Sequence, residues 1–310
     1  MCAQDVVTVH GLRKRYGDIV AVDGVGFAVR RGETFGIVGP NGAGKTTTLE
    51  IIEGLRQPDS GRVEVLGLDP QRQPAEVKQR IGVQLQASAY FDFLTLKEIL
   101  ELFGSFYRRR VPALQLLEMV GLRDRAGALL KQLSGGQQQR FSLAAAMVND
   151  PEVVFLDEPT TGLDPQARRS LWDLVREMRS QGRTVILTTH YMEEAEALCD
   201  RVAIMDGGRI VALDSPEALV SRLEAPYHIR LRLAQPVEPH QLAVPGVVNV
   251  ACAADGLGNL YRLQVNSVAE SMPLVLSRLA ELGMELVDLS VERATLEDVF
   301  LALTGKELRD

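Results

Sequence analysis

Cysteine, long apolar runs and excess positive charge are all missing or scarce in this sequence. The three cysteines, Cys2, Cys199 and Cys252, are far apart and form no metal or redox motif, which favours a reducing compartment. No run approaches the roughly 18 apolar residues that cross a membrane, and the N-terminus lacks a basic segment followed by an apolar one. A formal net charge of -7 argues against a duplex-DNA binder. If the protein works at a membrane, we expect another chain to supply the membrane part.

The first two thirds of the chain alternate between strand-like and helix-like patterns. The 310 residues, 46% of them hydrophobic, are enough for one large domain or two smaller ones. Short runs between Gly and Asp turns predict a β-rich beginning, at residues 6–9, 19–22, 27–29 and 62–66. Helical spacing follows over about 93–150. Apolar runs typical of parallel strands return at 153–156 and 184–187.

A second pattern begins near Ala225-Pro226, which predicts domains over 1–224 and 225–310. After the boundary we predict a β-rich stretch, a helix over about 268–282, a strand at 286–291 and a last helix at 295–303. This β-β-α-β order predicts a small α+β domain, with a ferredoxin-like arrangement as the candidate. There is no internal repeat and no low-complexity segment.

The run Gly39-Pro40-Asn41-Gly42-Ala43-Gly44-Lys45-Thr46 is a complete G-x-x-x-x-G-K-T phosphate loop. Its glycines allow the backbone to curl so that amides face phosphate oxygens. Lys45 is predicted to reach the β- and γ-phosphates, and the Thr46 hydroxyl to ligate Mg²⁺. The context fits: a strand-like run precedes the loop, and a helix predicted from Leu49, Ile51, Ile52 and Leu55 follows it. We expect the loop residues and the adjacent Thr47 to bind the nucleotide.

An apolar strand at 153–156 ends in two acids, Asp157 and Glu158. Phosphoryl transfer needs a carboxylate near Mg²⁺ and a group that orients the attacking water. Asp157 fits the metal role, most simply through a water, and Glu158 fits the role of general base. Pro159 then ends the strand.

The order of these motifs resembles that of the ATP-binding cassette (ABC) ATPases over roughly residues 5–220. Leu133-Ser134-Gly135-Gly136-Gln137-Gln138-Gln139-Arg140 resembles the family signature. The resemblance implies an α/β fold: an ABC-type phosphate-loop ATPase domain with a mostly parallel core sheet, a β-rich subdomain and a helical signature subdomain. The predicted C-terminal α+β domain would be an addition to that fold.

The same resemblance assigns further residues. Tyr16 resembles the aromatic that stacks on adenine, although a half-buried strand aromatic is the simpler alternative. Gln86 resembles the glutamine that approaches the catalytic site and Mg²⁺, with Gln84 as a competitor because Leu85 replaces the usual proline. Asp164, in Thr161-Gly162-Leu163-Asp164, resembles the D-loop aspartate, and His190 resembles the switch histidine.

In the ABC family, two nucleotide domains pack head to tail. Ser134, Gly135 and Gly136 are therefore expected to contact the γ-phosphate of ATP held by the opposite subunit. Ser134 is also a natural N-cap for the helix that follows it, and both roles are compatible. One chain carries one phosphate loop and one signature, so two composite sites require two chains, and we expect a homodimer on ATP binding.

The tail from Val291 to Gly305, Val291-Glu292-Arg293-Ala294-Thr295-Leu296-Glu297-Asp298-Val299-Phe300-Leu301-Ala302-Leu303-Thr304-Gly305, resembles that of ATPases of prokaryotic multidrug and antibiotic-resistance exporters of the daunorubicin-resistance type. It is also an ordinary amphipathic pattern. The resemblance implies an ATPase subunit at the inner, cytoplasmic face of the cell membrane, with ATP and Mg²⁺ as cofactors and a separately encoded membrane permease as partner. Residues 86–96, including the apolar Phe91–Leu94, would receive a permease helix, unless that stretch packs in the core.

Two other functions remain as alternatives. A soluble ABC ATPase that remodels nucleic acid or ribosomes would usually carry coiled coils, zinc cysteines or tandem cassettes, and none is present, so no nucleic-acid partner is expected. A metabolic kinase with a phosphate loop leaves residues 133–140 unexplained.

Overall fold

A computed structural model describes residues 4–84, 90–253 and 259–306. The chain forms two compact units, the first ending at Pro216 and the second beginning at Glu217. This division lies slightly upstream of the boundary expected near Ala225. No helix of the described chain is long and apolar enough to cross a membrane.

Within its described residues, the first unit contains nine strands. They are β1 (Asp5–Tyr16), β2 (Ile19–Arg30), β3 (Thr34–Val38), β4 (Ser60–Val65), β5 (Ile81–Gln84), β6 (Val153–Asp157), β7 (Thr184–Thr189), β8 (Arg201–Asp206) and β9 (Arg209–Asp214). An antiparallel sheet has the order β2-β1-β4, and a six-stranded sheet has the order β5-β6-β7-β3-β8-β9. The first five strands of the larger sheet are parallel and β9 is antiparallel. The predicted mostly parallel core sheet and β-rich subdomain are confirmed.

The helices of the first unit include those that pack on the larger sheet and the one that begins at the signature. They are α1 (Lys45–Ile52), α2 (Pro74–Lys78), α3 (Leu96–Gly104), α4 (Ala113–Met119), α5 (Gly135–Ala146), α6 (Pro165–Ser180) and α7 (Met192–Leu198), with α8 (Pro216–Ser221) at the junction of the units. Thr95 caps α3 in a box with Glu98. Helices α3 to α5 form the helical region expected over about 93–150.

Every residue of β3, β6 and β7 is buried, because helices cover both faces of a parallel sheet. The phosphate loop and Asp157-Glu158 follow the carboxyl ends of β3 and β6, and His190 follows β7. Since β3 and β6 both pair with β7 in parallel, these three groups meet at one edge of the sheet.

One helix prediction is wrong in extent. Leu55 was expected on the apolar face of the helix after the phosphate loop, but α1 ends at Ile52 and Leu55 is 49% exposed. Gly54, with a φ of 75°, lies between them in the left-handed region, where a helix cannot continue. Leu49, Ile51 and Ile52 do pack in the core.

The second unit is a four-stranded antiparallel sheet with one face covered by a helix. Its strands are β10 (Tyr227–Leu233), β11 (Val247–Ala253), β12 (Leu260–Val265) and β13 (Leu286–Arg293), in the order β11-β12-β10-β13. Its helices are α9 (Val268–Glu281) and α10 (Leu296–Thr304). Val275 and Leu279 of α9 complete a core with Ile229, Leu231 and Leu263.

The ferredoxin-like arrangement predicted for this unit agrees with its strand order, since β11-β12-β10-β13 with antiparallel pairing is the order of a ferredoxin-like sheet. Three strands, not two, precede α9, and a short 3-10 helix at Pro239–Leu242 takes the place of the α-helix that follows the first strand. On the other side of the unit, Asp298 of α10 lies 3.2 Å from His228 and 3.3 Å from Arg262. These contacts hold the pKa of Asp298 at about 2, although burial acts in the opposite direction.

Candidate functional site

The phosphate loop connects β3 to α1 in a backbone shape that only glycine permits. Gly44 has a φ of 97° and forms the N-cap of α1. A β-carbon on Gly44 would lie 2.2 Å from the carbonyl oxygen of Ala21, and one on Gly39 would lie 2.2 Å from that of Met205. The loop is thus held tightly against two neighbouring strands, with the N-terminus of α1 directed at its centre.

Lys45 is buried inside this loop, with only 4% of it exposed. Its Nζ donates to the carbonyl oxygens of Gly39, at 2.9 Å, and Pro40, at 3.1 Å. Burial lowers the pKa of Lys45, and the neighbouring Glu158 opposes that shift. A cation held in this way can turn from the carbonyls to phosphate oxygens without leaving the loop.

Asp157 brings β6 into contact with the phosphate loop. Its Oδ1 accepts a hydrogen bond from Thr46 Oγ1 at 3.2 Å and another from Thr188 Oγ1. Burial raises the pKa of Asp157, and the two hydroxyls oppose that effect. Thr46 and Asp157 therefore present adjacent oxygens at the rim of the loop, a donor set of the kind that suits Mg²⁺.

Glu158 lies between two potential cations. Its Oε1 is 3.3 Å from Lys45 Nζ, and its Oε2 is 3.3 Å from His190 Nδ1. Burial would raise the pKa of Glu158, but Lys45 and His190 hold it below its usual value. The carboxylate is thus kept ionised, as a general base must be.

The backbone of Glu158 is unusual, with a φ of 46° in a residue that is not glycine. Its N–H bonds to both the carbonyl and the hydroxyl of Thr188, at 3.2 and 3.0 Å. Thr161 Oγ1 also donates to Glu158 Oε2 at 3.1 Å. Thr188 and Thr161 had no predicted role, because their contacts depend on chain segments that only the fold brings together.

Tyr16 lies at the end of β1 with 39% of its surface exposed. The guanidinium carbon of Arg56 is 5.2 Å from the ring centroid and Lys14 Nζ is 5.8 Å from it. The ring is therefore accessible to a base, and its stacking role stays a prediction. Arg56 was missed, since nothing in its local sequence points to Tyr16.

The signature begins α5 as predicted. The Ser134 hydroxyl accepts from Gln137 N–H, and the Gln137 side chain bonds back to Ser134 N–H at 3.0 Å. A β-carbon on Gly135 would meet open space, whereas one on Gly136 would lie 2.9 Å from Ala167. Gly136 therefore allows close packing on α6, and Gly135 leaves the helix N-terminus accessible.

Signature and D-loop share one groove. A cavity of about 450 Å³ is lined by Ser134–Gln137, Arg140, Gly162–Asp164, Gln166, Ala167 and Ser170. Asp164 caps α6 by accepting from the amides of Gln166 and Ala167, both at 2.9 Å. In the described chain, no residue of the phosphate loop lines this groove.

Other residues named from the sequence also lie in the described chain. Asn41, Gly42 and Ala43 form the turn of the phosphate loop, and Thr47 lies in the first turn of α1. Gln84, the competing glutamine, ends β5 and is buried. Gln86 lies outside the described residues.

A buried lysine among loop carbonyls, a hydroxyl beside a carboxylate and an ionised glutamate define a phosphate-loop nucleoside triphosphatase. The ABC transporter family model matches residues 22–161. Daunorubicin resistance ATP-binding protein DrrA3 from Streptomyces coeruleorubidus is 40% identical, covering 99% of this chain and 98% of its own. Nod factor export ATP-binding protein I from Ralstonia nicotianae is 38% identical, covering 98% and 95%.

A comparison with a solved structure gives the same fold. A dimeric ATP-binding cassette in a post-hydrolysis state, bound to ADP and Pi, has a TM-score of 0.60 and 29% identity, covering 67% of this chain and 98% of its own. The chain belongs to the ABC transporter ATP-binding proteins and is an ATP-hydrolysing subunit of the export type. These similarities do not support the nucleic-acid alternative.

Proposed function

We propose that two copies of this chain close head to tail around two ATP molecules and thereby drive export through a separately encoded membrane permease. The relatives are described as resistance and export proteins. On this basis the chain works at the inner face of the cell membrane as a peripheral subunit.

The observation that carries the proposal is the open groove formed by the signature and the D-loop. Ser134 and Gly135 direct a helix N-terminus into it, which suits an anion. No described residue of the chain's own phosphate loop lines the groove, so the phosphate it suits is that of a second chain. Each closed pair would then contain two composite sites.

Within one composite site, the phosphate loop would hold the triphosphate. Lys45 would exchange the carbonyls of Gly39 and Pro40 for the β- and γ-phosphates. Thr46 and Asp157, already in contact through their oxygens, would hold Mg²⁺, Asp157 most simply through a water. When bound, Mg²⁺ neutralises charge that develops on the phosphates.

Hydrolysis would depend on Glu158 and His190. Glu158 is ionised and can accept a proton from the attacking water once Lys45 turns to phosphate. His190 Nδ1, on the other carboxylate oxygen, would fix its direction. Tyr16 would stack on adenine with its exposed ring.

The permease would dock beside residues 90–96. Phe93 is 79% exposed and Phe91 is 46% exposed, so neither packs in the core. Two exposed aromatics close together are unusual for a solvent-facing surface and fit contact with an apolar helix.

A mixed-dimer experiment tests the proposal. Lys45→Ala chains and Ser134→Arg chains are expected to be inactive as homodimers, because both of their sites are damaged. In a mixed dimer the two lesions fall on one site and leave the other intact. Differently tagged chains, isolated as mixed dimers, should recover ATP binding and part of the turnover. Two differently tagged Lys45→Ala chains are the control and should stay inactive. Mixed dimers that bind no more ATP than the control would contradict head-to-tail assembly.

A further inference from the structure

Glu194 is a fully buried carboxyl group without a part in the chemistry described above. It lies in α7, just past His190, and none of its surface is exposed. Its neighbour Glu193 points to solvent, with 75% of its side chain exposed. Burying a carboxyl group is unfavourable unless it makes compensating contacts.

Its contacts come from three segments of the first unit. Trp172 Nε1 of α6 donates to Glu194 Oε1 at 3.1 Å. Burial raises the pKa of Glu194. The nearby hydroxyls of Thr160 and Thr189 oppose that rise because they stabilise the ionised carboxylate. Thr160 follows Glu158 by two residues, Thr189 directly precedes His190, and α6 begins at Pro165, directly after its cap Asp164.

The contact with Thr160 is incomplete. Glu194 Oε2 and Thr160 Oγ1 are both buried, and neither makes a hydrogen bond with a described residue. Leaving a buried donor and acceptor unbonded is unfavourable, so a small shift of residues 159–164 that joins them would be favourable. Gly162–Asp164 of the same segment line the groove that is proposed to receive the partner's nucleotide.

A second hydrogen bond connects this segment to the signature helix. Gln139 Nε2 of α5 donates to the carbonyl oxygen of Pro159 at 2.6 Å. The loop after Glu158 therefore lies between the signature helix on one side and Glu194 on the other. If α5 moves during closure, Gln139 would pull on Pro159, and Thr160, the next residue, would move with it.

We infer that Glu194 is a positioning residue for ATP hydrolysis, which sets the placement of Glu158 and His190 through its hydrogen bond to Trp172, its interaction with Thr189 and a hydrogen bond to Thr160 that forms when residues 159–164 shift. The inference rests on the proposed roles of Glu158 and His190. It predicts that Glu194 affects the chemical step and leaves ATP binding nearly intact, since the partners described for Glu194 are Trp172, Thr160, Thr189 and Arg168 and not the phosphate loop.

Steady-state turnover and ATP affinity of the full chain test this. Glu194→Ala should lower kcat by about 10–100-fold, because misplacing a catalytic group by an ångström has effects of that size. KM and ATP affinity should stay within about twofold of the parent. Glu194→Gln should restore most of kcat, since an amide can accept from Trp172 and donate to Thr160. Glu193→Gln, the matched exposed control, should behave as the parent.

Trp172 is the only tryptophan, so its fluorescence gives a second readout. ATP should change its emission in the parent and in Glu194→Gln, and should change it little in Glu194→Ala. If Glu194→Ala does not fold, Thr160→Val should show the same loss of kcat, because it removes the other partner. Parental kcat in these variants would overturn the inference. A loss of kcat accompanied by an equal loss of ATP affinity, without rescue by glutamine, would show a structural role only.

The proposed chemistry and the positioning role of Glu194 can fail separately. If Glu158→Gln retains parental turnover, the proposed chemistry is wrong. If Glu158→Gln is inactive while Glu194→Ala is fully active, only the positioning role is wrong.

Discussion

Glu53 makes the stability of the first unit depend on pH in a direction opposite to that of most acids. It directly follows α1, is 1% exposed, and neither of its carboxyl oxygens has a hydrogen-bond partner among the described residues. Burial, reinforced by the nearby Asp157 and Glu50, raises the pKa of Glu53 from 4.5 to about 9. At neutral pH the folded chain therefore keeps this group protonated, while the unfolded chain ionises it.

The size of the effect follows from proton linkage. With a folded pKa above the unfolded value, the contribution of Glu53 is fully present below pH 4.5 and is lost as the pH rises towards about 9. Within that window, unfolding releases one proton, and each pH unit removes about 1.4 kcal/mol from the free energy of unfolding. Between about pH 6 and pH 8 the loss from Glu53 is roughly 3 kcal/mol.

Glu53→Gln isolates this contribution, because an amide has nearly the same shape and does not titrate. The stability of the variant relative to the parent should rise by roughly 3 kcal/mol from about pH 6 to about pH 8. Urea unfolding monitored by Trp172 fluorescence reports on the first unit directly. Glu50→Gln, on α1, is the matched control, because it makes the same substitution in a side chain that has a partner: Arg56 Nε contacts Glu50 Oε2 at 2.6 Å. A difference between Glu53→Gln and the parent that does not change with pH would refute the reasoning.

Two further substitutions test the separate roles of binding and chemistry. Lys45→Ala should abolish productive ATP binding, since Lys45 is the buried cation of the phosphate loop. A nucleotide titration measures the affinity, with the exposed Lys97→Ala as the control. Parental affinity in Lys45→Ala would contradict the role of Lys45. Glu158→Gln should bind ATP normally and lose about 10²–10⁴-fold in turnover, because an amide cannot accept the proton of the attacking water. The bound ATP should then hold the dimer closed, which size-exclusion chromatography with ATP and Mg²⁺ would detect. A Glu158→Gln variant that stays monomeric or hydrolyses ATP at the parental rate would count against the general-base role of Glu158.

Much of the first unit could be predicted because its motifs impose their own local geometry. Gly44 and Lys45 define both a turn and a helix start, and Ser134 and Asp164 cap α5 and α6 as their sequences suggest. Thr188 could not be assigned in the same way. Its contacts with Asp157 and Glu158 depend on the parallel register of β6 and β7, which no local pattern specifies.

In the second unit, the three strands before α9 were harder to predict, because their pairing depends on contacts between distant segments. The first strand, β10, pairs with β12 and β13 in the middle of the sheet, so neighbours in sequence are not neighbours in space.

The lengths of the first two strands of the chain were also underestimated: β1 and β2 each run for 12 residues through bulges. Internal glycines such as Gly11 and Gly24 divide them into shorter apolar runs.

Crosslinking between chains tests the central claim most directly, that the signature of one chain completes the ATP site of another. One chain carries Asn41→Cys and a differently tagged chain carries Ser134→Cys, both with Cys2 and Cys252 replaced by serine; the buried Cys199 is kept. Glu158→Gln in both chains should hold ATP in place during oxidation. We expect a disulfide that joins the two tags and forms only when ATP is bound. Crosslinks that form equally well without nucleotide, or solely within one chain when both cysteines are placed together, would contradict the head-to-tail dimer.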